Sequence, residues 1–121
     1  MESRQVLIVE DDAPFVELLK LTLRDFQFQF NIAKDGLSAL ELLNKRRYDL
    51  LICDYRLPKV DGRDIIRLAR AKNPECHIVL LSAANVDMID AEIKQLPRFG
   101  FLQKPVSPSQ LRKEVEKVFP N

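Results

Sequence analysis

Hydrophobic and polar positions along this chain alternate between two periods. Four apolar runs, Val6-Leu7-Ile8-Val9, Leu50-Leu51-Ile52-Cys53, Ile78-Val79-Leu80-Leu81 and Phe99-Gly100-Phe101-Leu102, are short and nearly continuous, as in strands covered on both faces. Residues 27–33 instead alternate polar and apolar, which predicts a strand with one wetter face, close to a sheet edge. Between these strands the period lengthens to that of a helix. Phe15, Leu18, Leu19, Thr22, Leu23 and Phe26 keep helical spacing after Pro14, a residue suited to a first turn. Leu37, Ala39, Leu40 and Leu43 form the stripe of a second helix, with Asp35 as its cap. Asp61-Gly62 opens a third, carrying Ile65, Leu68 and Ala69 and stopped at Asn73-Pro74. Over residues 86–96 only Ile89, Ile93 and Leu96 hold the spacing, among polar groups and ahead of Pro97, so this fourth helix is expected to be short or mobile. Ser107-Pro108-Ser109-Gln110 reads as a capping box before Leu111, Val115, Val118 and Phe119, and Pro120 ends that helix.

Strand and helix thus alternate five times, which predicts an α/β fold with a parallel sheet between two helical layers. Right-handed crossovers leave few topologies. The flavodoxin-like (βα)5 sandwich, with strand order 2-1-3-4-5, sets the first, third and fourth strands side by side. Their carboxyl ends then bring Glu10, Asp11, Asp54 and Ser82 together, and the fifth strand ends in Lys104-Pro105 at the same edge. Open α/β sheets bind ligands at that edge.

Composition narrows the picture further. At 121 residues one core suffices, and residues 1–121 are read as one domain with no second domain in this chain. The net charge of +1 steers the chain toward neither nucleic acid nor membrane, so a charge-driven function must be local. No run approaches the about 18 apolar residues of a membrane span, and the first strand begins without a signal-peptide core, so the expected compartment is the cytoplasm. Cys53 ends its strand whereas Cys76 precedes the next, an offset of roughly 15 Å that forbids a disulfide. His77, the only histidine, starts its strand at the end opposite the acids and is expected to be partly exposed and not a metal ligand.

Adjacent strands lie about 4.8 Å apart, so Asp11 and Asp54 crowd two like charges, and one pKa should rise unless a cation intervenes. A few hard oxygen donors without a soft-ligand cluster suit Mg²⁺. A Glu-Asp-Asp run alone also suits helix capping; joined to Asp54 and Lys104 at neighbouring strand ends, it points to a divalent cation and a phosphoryl group.

Leu7-Ile8-Val9-Glu10-Asp11-Asp12, Asp54-Tyr55-Arg56-Leu57-Pro58-Lys59-Val60-Asp61-Gly62, Leu80-Leu81-Ser82-Ala83 and Phe101-Leu102-Gln103-Lys104-Pro105 occur in this order along essentially the whole chain. In these motifs the chain resembles the receiver domain of bacterial two-component response regulators. The resemblance implies that Asp54 accepts phosphate from a sensor histidine kinase or a histidine phosphotransfer protein. It makes Asp11 the direct Mg²⁺ ligand, with Glu10 assisting through water and the backbone carbonyl of Arg56 completing the protein ligands. Asp12 is then left to cap the first helix. Ser82 and Lys104 would contact the phosphoryl group, Lys104 from a cis Lys-Pro peptide. Ser82 and Phe101 would form the switch, altering the face built from the fourth helix, fifth strand and fifth helix. Implied partners are an output domain or downstream protein and a dimer formed on phosphorylation, with no direct contact to nucleic acid or membrane. Such a domain catalyses only its own phosphorylation and dephosphorylation and is not an enzyme in the ordinary sense.

Three other readings fit less well. A phosphohydrolase using an aspartyl-phosphate, as haloacid-dehalogenase-like enzymes do, needs an acid two residues after the nucleophile, where this chain has Arg56. A flavodoxin-type cofactor binder needs a Gly-, Ser- or Thr-rich phosphate loop after the first strand, where three acids stand. A pseudo-receiver that binds partners without phosphorylation would not need Glu10, Asp11, Asp54, Ser82 and Lys104 together.

Overall fold

The computed structural model describes residues 3–57 and 60–119, and of Val86 the backbone alone. The helix stop read at Pro120 lies outside the described residues. Five strands, β1 (Gln5–Val9), β2 (Gln29–Ala33), β3 (Leu50–Asp54), β4 (His77–Ser82) and β5 (Phe99–Gln103), form one parallel sheet of order β2-β1-β3-β4-β5. The helices are α1 (Ala13–Thr22), α2 (Gly36–Lys45), α3 (Gly62–Lys72), α4 (Ala91–Lys94) and α5 (Pro108–Glu116). Single 3-10 turns follow α1 and precede α4, at Arg24–Phe26 and Val86–Met88. The alternating strand is β2, and it occupies the sheet edge as its pattern predicts.

Alternation along the central strands divides the core in two. Leu7, Val9, Leu51, Cys53, Ile78 and Leu80 pack with α2, α3 and Ile89 and Ile93 of the α4 region. Val6, Ile8, Leu50, Ile52, Val79 and Leu81 pack with Val16 and Leu19 of α1 and Leu111 and Val115 of α5. Four helices start on the caps their sequences announce: Asp12 accepts from the Phe15 N–H, Asp35 from that of Ser38, Asp61 from that of Arg63, and Ser107 and Gln110 complete the capping box of α5. Cys53 and Cys76 are free and buried, and burial pushes the Cys76 thiol up to about 12.

Two details depart from the pattern. Leu18 and Leu37, assigned to helical stripes, are 42% and 54% exposed, because each helix packs through a narrower face, Val16 and Leu19 in α1 and Gly36, Ala39 and Leu43 in α2. Gly36 is part of that close approach, since a Cβ there would collide with Val60. His77 is buried, at 4% exposure, and neither ring nitrogen has a hydrogen-bond partner among the described residues. By strand alternation it shares the face of Val79 and Leu81, so α5 covers the strand start that the sequence left open.

The fourth helix is a single turn, as its weak pattern foretold, and α3 holds it from outside. Arg63 donates to Asp90 at 2.6 Å, Arg67 to Glu92 at 2.9 Å, and Arg70 to the carbonyls of Cys76 at 2.7 Å and Arg98 at 2.8 Å and to that of Pro97. Asp90 stands at the N-cap of α4, yet its side chain makes no capping bond and takes the Arg63 guanidinium instead.

Burial lowers the His77 pKa, and the charges of Arg70, Arg98 and Lys117 add to this against the opposing charge of Glu114. Above about pH 6.5 the imidazole is neutral folded and unfolded, and stability is full. As pH falls below that value the unfolded chain takes a proton the folded chain resists, so stability declines until the folded pKa is passed. In urea titrations between about pH 7.5 and 5, His77→Leu should lose less stability than the parent. Parallel pH profiles would show that His77 does not carry this loss.

Candidate phosphoryl and metal site

Each strand end hands its ladder on to a neighbour, which fixes where the functional side chains emerge. The Glu10 N–H donates to the Ala33 carbonyl at 3.0 Å, Tyr55 N–H to Leu81 at 2.8 Å, and Lys104 N–H to Ser82 at 2.8 Å. Glu10, Asp54, Ser82 and Lys104 are thereby held at one edge, with Asp11 exposed beside them. Carboxylate oxygens of Glu10, Asp11 and Asp54 all lie within 4.8 Å of one another.

The three acids sit in different surroundings. Glu10 is buried, at 2% exposure, and its carboxylate accepts from Lys104 Nζ at 2.9 Å and from the Asp12 N–H at 3.3 Å. Asp54 accepts from Lys104 Nζ at 3.3 Å and, through its other oxygen, from the Arg56 N–H at 3.1 Å. The Lys104 ammonium therefore bridges two carboxylates, and it also lies 5.1 Å from the centre of the Phe15 ring. The Lys104–Pro105 peptide is cis. Ser82 is fully buried, and its hydroxyl accepts from the Ala84 N–H at 3.0 Å.

Burial raises the Glu10 carboxyl, and the nearby Asp54 charge works in the same direction, against the bond and charge of Lys104. This rise comes chiefly from desolvation and is distinct from the Asp11–Asp54 repulsion that the sequence suggests. Burial draws the Lys104 ammonium down, but its bond to Glu10 and the charges of Asp54 and Glu10 outweigh that, leaving its pKa raised. The ammonium is charged at neutral pH.

The structure brings together Glu10, Asp11, Asp54, Ser82 and Lys104. Arg56 is adjacent, with its side chain exposed, and Phe101 is half-buried on β5 against the core face of α2 and α3. Asp12 turns to its cap, as expected. Glu10, whose expected part is to assist the metal through water, also accepts a bond from Lys104 Nζ, a contact the sequence does not announce. The sequence reading gave Phe15 only to the helical stripe; its distance of 89 residues from Lys104 hides their approach, and the common strand edge is the one signal that joins them.

A family model, the response regulator receiver domain, matches residues 6–116. The chain belongs to the response regulator receiver family. Among its curated relatives, the chemotaxis protein CheY of Pseudomonas aeruginosa is 32% identical over 119 residues, covering 95% of each chain. The transcriptional regulatory protein ZraR of Escherichia coli O157:H7 is 28% identical over 117 residues, 97% of this chain but 26% of that protein. The response regulator PilR of P. aeruginosa is similar at 32% identity and the same 26% share, so the receiver spans about a quarter of these two regulators. Among solved structures, the chemotaxis response regulator CheY4 of Vibrio cholerae superposes with a TM-score of 0.82 at 27% identity, covering 97% of this chain and 99% of that one. The receiver domain of the sensor histidine kinase PA1611 of P. aeruginosa, solved with magnesium coordinated in its active-site cleft, gives 0.78 at 26% identity, covering 99% and 100%.

In this receiver the donor set suits a hard divalent cation: three carboxylates gather at one strand edge, and the Lys104 ammonium bonded to two of them, Glu10 and Asp54, offsets part of their charge. Mg²⁺ titrations by calorimetry should lose their heat of binding in Asp11→Ala. Asp12→Ala should keep it and lose about 1 kcal/mol of stability with the helix cap. The reverse result would move the ligand set by one residue.

Proposed function

We propose that this receiver accepts a phosphoryl group on Asp54 from the phosphohistidine of a sensor histidine kinase or histidine phosphotransfer protein. The observation that carries this reading is the Lys104 ammonium bridging Glu10 and Asp54 within the acidic cluster. In the transfer, the phosphorus–nitrogen bond of the donor breaks with its electron pair leaving on the imidazole, while an Asp54 carboxylate oxygen forms the new bond to phosphorus. A carboxylate is a weak nucleophile, so positioning and charge neutralisation supply most of the acceleration.

Asp54 is held for this by the Arg56 N–H on one oxygen and by Lys104 on the other. Lys104 offers its charge to the incoming phosphoryl oxygens. The Ser82 hydroxyl accepts the Ala84 N–H and so keeps its own hydrogen to donate to a phosphoryl oxygen. Glu10, Asp11, Asp54 and the Arg56 carbonyl would hold Mg²⁺, which when bound neutralises charge on the transferring group.

Signalling follows from a two-state packing change. Ser82 shifting toward phosphorylated Asp54 would free space for the Phe101 ring, and the face of α4, β5 and α5 would be remodelled for an output domain, a downstream protein or a second receiver. The proposed compartment is the cytoplasm, and residues 1–121 act as one receiver domain. Among the described residues no helix is long and apolar enough to cross a membrane.

Incubation with acetyl phosphate or a phosphorylated kinase and Mg²⁺ should label the parent, and Asp54→Asn should abolish the label. Hydroxylamine-sensitive label persisting in Asp54→Asn would sink the assignment of Asp54, whereas a parent that takes no label would favour a pseudo-receiver.

A second expectation concerns the lifetime of the phosphoryl group. The exposed Arg56 side chain would lie over the mouth of the site, and Ala84, two residues past Ser82, offers no acid or amide to hold an attacking water. Arg56→Ala should leave phosphorylation intact and change the dephosphorylation rate several-fold. Equal decay of the two phosphoproteins would return Arg56 to the role of a solvated turn residue.

A further inference from the structure

Lysine presents a compact ammonium on a flexible four-carbon stem, so an active lysine needs something to hold it in place. Lys104 leaves the end of β5 with 27% of its side chain exposed, and a path to water is open to it. Its ammonium has three N–H donors. Glu10 and Asp54 engage it from the acidic side, at 2.9 and 3.3 Å. The Phe15 ring also meets it, with Nζ 5.1 Å from the ring centre, inside the roughly 6 Å range of cation–π attraction.

The ring is well anchored. Phe15 lies in the first turn of α1, its N–H donates to the capping carboxylate of Asp12 at 3.2 Å, and its side chain packs against the core cluster containing Val16 and Leu19. The cap that starts α1 therefore also fixes the residue bearing the ring. Aliphatic bulk could fill the same space, but only an aromatic face carries the negative quadrupole that attracts an ammonium.

We propose that Phe15 is a positioning residue for Lys104: its ring face holds the ammonium beside Asp54, so that the charge is in place when a phosphoryl group arrives. This inference rests on the phosphoacceptor reading for its effect on rate. The placement itself is independent of that reading. Without the ring, the Lys104 stem spends more of its time in other rotamers directed toward water, and the transfer slows in proportion.

The test replaces Phe15 in the full chain by leucine, by tyrosine and by a series of mono-, di- and trifluorinated phenylalanines, which keep the ring's shape while weakening its face. Two quantities are measured. The first is the position of the Lys104 Hε resonances, which a ring face shifts upfield. The second is the initial rate of labelling by acetyl phosphate at saturating Mg²⁺. The upfield shift should be present in the parent and in Phe15→Tyr and absent in Phe15→Leu. The labelling rate should fall about three- to tenfold in Phe15→Leu, recover in Phe15→Tyr and decline stepwise along the fluorinated series. Lys104 Hε resonances at unshifted positions in the parent would overturn the proposal, and so would a flat rate across the fluorinated series in a parent that labels normally. A parent that takes no label counts against the phosphoacceptor reading, and the ring-current shift then decides the placement of Lys104 alone.

Discussion

The ion pair of Glu10 with Lys104 joins the ends of β1 and β5, which are separated in the sheet by β3 and β4. At ordinary strand spacing those ends stand about 14 Å apart. A long side chain on the turn after β5 closes that span, and in doing so passes the ends of the two strands that carry Asp54 and Ser82. Glu10 is almost fully removed from water, and an unpaired carboxylate there would be costly. Its need for a cation draws Lys104 over Asp54. Sheet order, buried acid and reactive edge are thus one arrangement seen at three scales.

Much of this was readable in one dimension because the relevant signals are local. Continuous apolar runs marked the covered strands, the alternating run marked β2 at the edge, and Asp12, Asp35 and Ser107 announced helix starts through bonds reaching only three residues. Strand ends followed from the same runs, so the grouping of Glu10, Asp11, Asp54, Ser82 and Lys104 required only the parallel order. What escaped depends on contacts between distant segments. Nothing near His77 says that α5 will cover it, and the outward turn of Leu37 reflects how closely Gly36 lets α2 approach Val60.

Within the site the same division holds. Residue types identified the chemistry, since hard oxygen donors, a hydroxyl and an amine at one edge leave few uses. Partner choice was not legible. Glu10 contacts Lys104 directly because its burial demands an adjacent positive charge, a demand the sequence does not display. Phe15 fits a hydrophobic stripe so well that its period conceals a second face turned to the ammonium.

The arginines of α3 have a consequence for how the protein ages and varies. Arg63, Arg67 and Arg70 recur at intervals of four and three residues, one helix face, and grip Asp90, Glu92 and the carbonyls before β5. The single-turn α4 between them contributes few apolar anchors of its own, Ile93 among them. The Arg63–Asp90 and Arg67–Glu92 fastenings are surface ion pairs, individually worth about 0.2–1 kcal/mol and weakened by salt, and Arg70 adds hydrogen bonds to backbone carbonyls. The α4 segment is therefore joined to the rest like a strap with separate buckles. Its amides should exchange with solvent sooner than those of β3 or β4 as ionic strength rises, and mutation can redraw its outer surface one buckle at a time while the carboxylates at the strand ends stay where they are.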